Sequence, residues 1–186
     1  MRDRYAAIAT NPRQGFNFAV GRAYAEALGY PAALLDALPA TATEAFTGVA
    51  SPVFRAELAP GETVVDLGCG AGLDLAIAAR AVGSSGHAIG VDLARPMVAR
   101  ARRTVEDLGL KNVALSVARA EATGLPDAVA DCVLINGLLN LSPDKDAVLR
   151  EVARVLRPGG RLILAETTLT KPVPSDAVQS VEDWFR

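Results

Sequence analysis

The spacing of apolar residues changes near residue 60. Over residues 1 to about 50, Tyr24, Leu28, Leu34, Leu35 and Leu38 recur at roughly helical intervals, interrupted by Gly29-Tyr30-Pro31, and predict short helices. From Thr63 onward, short β-branched runs alternate with longer helical stretches, the pattern of βαβ units. Strands are predicted over Thr63–Leu67, Ala88–Asp92, Val113–Val117, Asp131–Ile135 and Arg161–Ala165. Each is apolar at nearly every position, as expected of strands covered on both faces, so the sheet should be parallel. Helices are predicted over Leu73–Ala81, Pro96–Leu108 and Pro143–Leu156. A proline opens two of them, suiting a first helical position where its missing N–H would have no partner anyway. Ser142 is the expected N-cap of the third.

The fold class is therefore α/β. An N-terminal helical cap is expected over residues 1–52, a core over 53–170 and a proline-containing tail over 171–186, with room for one short helix near Asp176–Phe185.

Composition narrows the function classes. A chain of 186 residues, 51% hydrophobic and 22% charged, has the makings of one globular domain. A net charge of −2 and a pI near 5.5 provide no general field for nucleic acid or an anionic membrane. No run approaches the roughly 20 apolar residues of a membrane span, and the expected location is cytoplasmic. Cys69 and Cys132 are too few for a disulfide framework and lack zinc-ligand spacing, so no metal site is expected. His87, at the predicted start of the second strand, reads as a surface residue. Arg100, Arg102 and Arg103, flanked by Glu106 and Asp107, read as a solvated helix face rather than a nucleic-acid footprint.

Chemistry concentrates in Val64-Val65-Asp66-Leu67-Gly68-Cys69-Gly70-Ala71-Gly72, where a buried strand ends in three alternate glycines and a helix follows at once. Side chains are missing where a ligand would approach the backbone, and the helix start turns unpaired N–H groups toward it. Dinucleotides and S-adenosylmethionine both use such loops. The dinucleotide pattern needs a glycine three positions after the second, but Leu73 stands there. Asp66 would oppose a pyrophosphate, whereas it could orient the loop or meet the ammonium of a methionyl group. Asp92 ends the next strand 20 residues after Gly72, at a distance suited to a carboxylate that accepts from ribose hydroxyls. The plainer role for Asp92 is capping the helix near Pro96.

The glycine loop, Val91-Asp92-Leu93-Ala94-Arg95-Pro96-Met97 and Leu156-Arg157-Pro158-Gly159-Gly160-Arg161-Leu162, in that order, resemble the class I S-adenosylmethionine-dependent methyltransferase family over residues 60–166. The resemblance implies a Rossmann-like sheet of strand order 3-2-1-4-5 with helices on both faces, and S-adenosyl-L-methionine as cofactor. It implies that Asp66, Gly68, Cys69, Gly70 and Gly72 hold the methionyl end. Asp92 would hold the ribose, Leu93 would cover the adenine, and Ala120 with Glu121 would lie by the adenine amino group. Asn136 would lie near the methyl donor and acceptor. The C-terminal antiparallel strand pair usual in the family is expected to be missing, which would leave the fifth strand as an edge and points to a homodimer or to truncation from a longer natural chain.

A narrower resemblance links Ile135-Asn136-Gly137-Leu138-Leu139-Asn140-Leu141-Ser142-Pro143-Asp144-Lys145, and Phe46-Thr47-Gly48-Val49-Ala50-Ser51-Pro52, to arsenite methyltransferases. Gly137 stands where that group presents a cysteine. The implied partner is a small-molecule methyl acceptor, met by a lid around Tyr5, Phe16, Phe18 and Tyr24. Two alternatives stay open: a nicotinamide-dependent oxidoreductase on a similar sheet, and a cofactor-binding module without turnover.

Overall fold

Val64 and Val65 of β1 (Thr63–Leu67) are both wholly buried although they point to opposite faces, so the sheet is covered on both sides. In a computed structural model that describes residues 2–16 and 18–168, β1 is central, with β2 (His87–Asp92) and β3 (Val113–Val117) to one side. To the other side lie β4 (Ala130–Asn136) and β5 (Leu156–Ala165), and all four pairings are parallel in the order β3-β2-β1-β4-β5. The order reverses at β1, which opens a crevice at the carboxyl ends of β1 and β4 or β2, the place where open α/β sheets bind ligands.

Four helices precede the sheet: α1 (Arg2–Thr10), α2 (Arg22–Ala27), α3 (Ala32–Asp36) and α4 (Ala40–Thr43). Then α5 (Leu73–Val82), α6 (Arg95–Asp107) and α7 (Lys145–Val155) accompany the strands. Alternation along the strands divides the core. Val64, Cys132 and Leu134 pack with Leu73 and Ile77 of α5 and with Tyr30, Leu35 and Phe46 from the N-terminal region. Val65, Leu67, Val133 and Ile135 pack instead with Val148, Val152 and Val155 of α7. Each fully buried valine or leucine contributes roughly 1.5–3 kcal/mol relative to exposure.

Most element boundaries shift from expectation by a residue or more, and those of α6, α7 and β5 have identifiable causes. Asp144, not Ser142, caps α7, accepting from the Ala147 N–H at 2.8 Å. A capping side chain must immediately precede the first helical residue, here Lys145, so Pro143 lies outside the helix. Pro96 is the second residue of α6, which opens at Arg95. Leu156 is extended rather than helical, because α7 passes straight into β5, and an irregularity opposite Ala130–Cys132 absorbs Arg157-Pro158-Gly159-Gly160.

Arg100 also departs from the solvated-face reading. Its guanidinium donates to the carbonyls of Ala9 (2.9 Å) and Thr41 (3.2 Å) and to Glu44 Oε2 (3.2 Å), fastening α1 and α4 onto α6. Arg102 and Arg103 are exposed. The two thiols are buried and free: Cys132 pairs in register with Val64 near the start of β1, whereas Cys69 lies beyond its end. The tail, the short helix over Asp176–Phe185 and the missing strand pair fall outside the described residues.

Candidate functional site

The loop after β1 turns on three glycines with positive φ, Gly68 at 84°, Gly70 at 52° and Gly72 at 88°. A Cβ on Gly68 would lie 2.6 Å from Leu138 Cδ1, so only glycine lets this backbone pass, whereas the same position on Gly70 faces open space. The N–H groups of Gly68 and Cys69 both donate to the Val91 carbonyl, at 2.8 and 3.1 Å, which ties the loop to β2. Asp92, ending β2, reaches back: its Oδ2 accepts from the Gly70 N–H at 2.9 Å and its Oδ1 from the Ala94 N–H at 2.8 Å. One carboxylate thus fixes both the glycine loop and the entry to α6.

These residues wall a cleft of about 290 Å³ shared with Leu93, Ala120 and Glu121. Glu121 accepts from Ser142 Oγ at 2.6 Å and pairs with Arg119 Nε at 3.4 Å, so it is a held wall residue rather than a loose surface acid.

A smaller recess adjoins the cleft, lined in part by Asp66, Gly68, Cys69, Gly70, Asp74 and Asn136. Asp66 is only 3% exposed, and its Oδ2 has no hydrogen-bond partner. Among the described residues, no lysine, arginine or histidine lines this recess. Burial, reinforced by Asp74 and Asp92, raises the Asp66 carboxyl well above its ordinary range. Burial also raises Asp74, to about 6, despite hydrogen bonds from Asn136 and Tyr30 that favour its charged form. A buried carboxylate oxygen without a partner is costly. Such an oxygen beside a side-chain-free loop has the chemistry to accept from a positively charged donor.

Asn136 lines both spaces, but its amide is already engaged. Its Oδ1 accepts from the N–H groups of Val49 (2.8 Å) and Ala50 (3.2 Å), and its Nδ2 donates to Ala50 O and Asp74 Oδ2, both at 2.9 Å. Asn136 therefore clamps the 47–50 loop over the end of β4. Gly72 faces Ala101 of α6, whose Cβ is 3.2 Å from where a Gly72 Cβ would stand, and serves helix packing. The Cys69 thiol is raised well above its usual range by burial and then by Asp66 and Asp92, so it stays protonated.

Beyond the cleft lies a second chamber of about 180 Å³, between α1 and the segment after β5. Tyr5, Thr47, Gly137 and Leu141 line both spaces. Of the aromatic residues expected around a lid, Tyr5, Phe18 and Tyr24 line the chamber, and Phe16 packs on Phe18 with ring centroids 5.7 Å apart. His87 is exposed at the opposite end of β2.

Sequence reasoning did not single out Asp74, Tyr30 or Glu166. Asp74 had one signal, an acid in the first turn of a helix whose other charged residue is Arg80 in its last turn; Glu166, just past β5, belongs to no spaced motif.

Comparison with known proteins gives a consistent result. A family model described as "Methyltransferase domain" matches residues 58–186. The chain is 38% identical over 151 residues to an arsenite methyltransferase of Halobacterium salinarum, covering 81% of this chain and 38% of that protein. It is 40% identical over 115 residues to a ubiquinone/menaquinone biosynthesis C-methyltransferase of Vibrio cholerae, covering 61% and 44% respectively. The chain thus spans about two fifths of the length of these curated relatives. Among solved structures, a SAM-dependent methyltransferase of Aquifex aeolicus superposes with a TM-score of 0.57 and 29% identity, covering 69% of this chain and 70% of that one.

Proposed function

We propose a reaction from one premise: the chain belongs to the methyltransferase domain family. The protein binds S-adenosyl-L-methionine in the cleft and recess at the ends of β1 and β2, and methylates a small-molecule acceptor held in the adjoining chamber. The observation that carries this reading is the partnerless Asp66 Oδ2 in a recess without basic side chains. It suits the ammonium of a methionyl group and repels a pyrophosphate, which argues against the nicotinamide alternative.

On this reading Asp66, Gly68 and Gly70 hold the methionyl end, with Cys69 as a buried packing residue of the same loop. Asp92 accepts from the ribose hydroxyls, Leu93 and Ala120 flank the adenine, and Glu121 faces its amino group. Asn136 acts by positioning the 47–50 loop. When bound, the cofactor supplies a methyl group already activated on a sulfonium. The chain has only to align the acceptor behind that carbon and exclude water, a task for the α1 and 47–50 walls rather than for a covalent nucleophile.

Isothermal titration tests the reading: S-adenosylmethionine binds and NAD does not. Binding of NAD alone would contradict it, and cofactor binding without product from any acceptor would support the module without turnover.

The names of the relatives point to different acceptors. Trivalent arsenic is soft and is best held by several converging thiolates. Cys69 and Cys132 lie toward opposite ends of the sheet, and Gly137 stands where the arsenite methyltransferase group presents a cysteine. We infer that arsenite is methylated very slowly or not at all. Robust methylarsenite formation, abolished by Cys69→Ser, would overturn this.

A further inference from the structure

The second chamber has a chemistry distinct from the cofactor cleft. Phe18, Tyr24 and Tyr5 present aromatic rings, Val49 and Leu141 aliphatic groups, and Glu166 the one carboxylate on its wall. No lysine, arginine, histidine or cysteine lines it among the described residues. An anionic acceptor would meet Glu166 without a compensating cation, and a soft ion would find no thiolate. The size is also informative: an apolar cavity of roughly 150 Å³ accommodates benzene, so about 180 Å³ fits one six-membered ring with one or two small substituents.

Resting on the methyltransferase reading above, we propose that the acceptor is a monocyclic phenol and that Glu166 is the base that removes its hydroxyl proton. The phenolic O–H bond breaks and its proton passes to the Glu166 carboxylate. The oxygen electron pair forms the new bond to the methyl carbon. The bond from that carbon to the sulfonium sulfur breaks with its electron pair left on sulfur, so a cation and a carboxylate are converted into neutral ether, thioether and carboxylic acid.

Placement favours this role. Glu166 follows β5 directly, at the same strand ends that carry the cofactor cleft, and its Oε1 accepts from the Asn140 N–H at 3.3 Å. Burial raises its carboxyl, outweighing the hydrogen bonds from the Asn140, Leu139 and Thr167 N–H groups and the charge of Lys145 nearby, and a raised carboxyl is the stronger base. Tyr5, at the junction of the two spaces, is the neighbouring titratable group. Burial first, then Asp92 and Glu166, raise its phenol against the effect of Arg4, so it stays protonated as a donor rather than competing as a base.

The experiment uses the full chain with phenol, catechol and hydroquinone as acceptors and a tritiated methyl donor, alongside calorimetric titration of S-adenosylmethionine. Failure of the wild type to bind S-adenosylmethionine would sink the underlying reading. Binding without transfer to any of the three phenols would sink this inference alone. The expected result is O-methylation by the wild type, with kcat/KM rising as pH passes through the Glu166 carboxyl. In Glu166→Gln, turnover falls on the order of 100-fold, that rising limb is lost, and cofactor affinity stays within about twofold. Glu166→Asp should restore the limb. Ala19→Trp, at an exposed position of the chamber wall, gives an independent check by raising KM for the phenol without weakening cofactor binding. Equal turnover and an unchanged pH profile in Glu166→Gln would overturn the assignment.

Discussion

Asp92 holds two backbone N–H groups, one in the glycine loop and one at the entry to α6, so the ribose recognition proposed for it and the loop geometry would depend on the same carboxylate. Asp92→Ala is expected to weaken S-adenosylmethionine binding by about 1.5–3 kcal/mol, the range for losing a hydrogen-bonded charged partner. Unchanged affinity in calorimetry would remove Asp92 from the ribose site. Asp66 gives a pH signature. Its carboxyl is raised in the free protein by burial and by the neighbouring acids, and a ligand ammonium favours the ionised form. Binding therefore expels a proton, and affinity should increase with pH over the range in which the free protein's Asp66 carboxyl is still protonated, below an α-amino pKa of about 7.7–8. Asp66→Asn should flatten that slope and cost roughly 10–100-fold in affinity; a slope that persists in the variant would exclude Asp66 as its source. Both acids were legible in the sequence because they lie at the ligand-side ends of strands of a parallel sheet, Asp66 one residue before the end of β1 and Asp92 at the end of β2. Glu166 lies just past β5, but no neighbouring motif marks it, and its place emerges only from the chamber it borders.

At the scale of elements, the strands and main helices were readable to within a few residues because doubly covered strands are continuously apolar and their helices amphipathic. The N-terminal cap was readable as helices but not as attachments. Arg100 on α6 and Asn136 at the end of β4 fasten it, and periodicity does not reveal which way a guanidinium or an amide points. Asp74 was hidden for a related reason: an acid in a first helical turn ordinarily answers the helix dipole, whereas here it is buried under Tyr30 and Asn136. Asn136→Ala strips the Val49 and Ala50 N–H groups of their acceptor, and is expected to lower unfolding stability in urea by about 2–3 kcal/mol. The same change should loosen the 47–50 loop, read as faster amide exchange at Val49 and Ala50. A loss below about 0.5 kcal/mol with unchanged exchange would show that the clamp contributes little.

For the whole molecule, the reversal of strand order at β1 brings the glycine loop, Asp92 and the end of β4 to one crevice, and the cap closes that crevice into a cleft, a recess and a chamber. The strand order came from resemblance rather than from hydrophobic period, since alternation says which face a residue takes but not which strands are neighbours. The second chamber was least legible, because it is assembled from α1, the segment around Phe18, the 47–50 loop and the segment after β5, which are remote in sequence. If the Asp66 recess and the Asp92 cleft together form one S-adenosylmethionine site, a crystal structure with S-adenosylhomocysteine should show the ligand ammonium within hydrogen-bond distance of Asp66 Oδ2 and the ribose hydroxyls on Asp92; a ligand bound elsewhere, or in the cleft with its ammonium turned away from Asp66, would rule out a joint site.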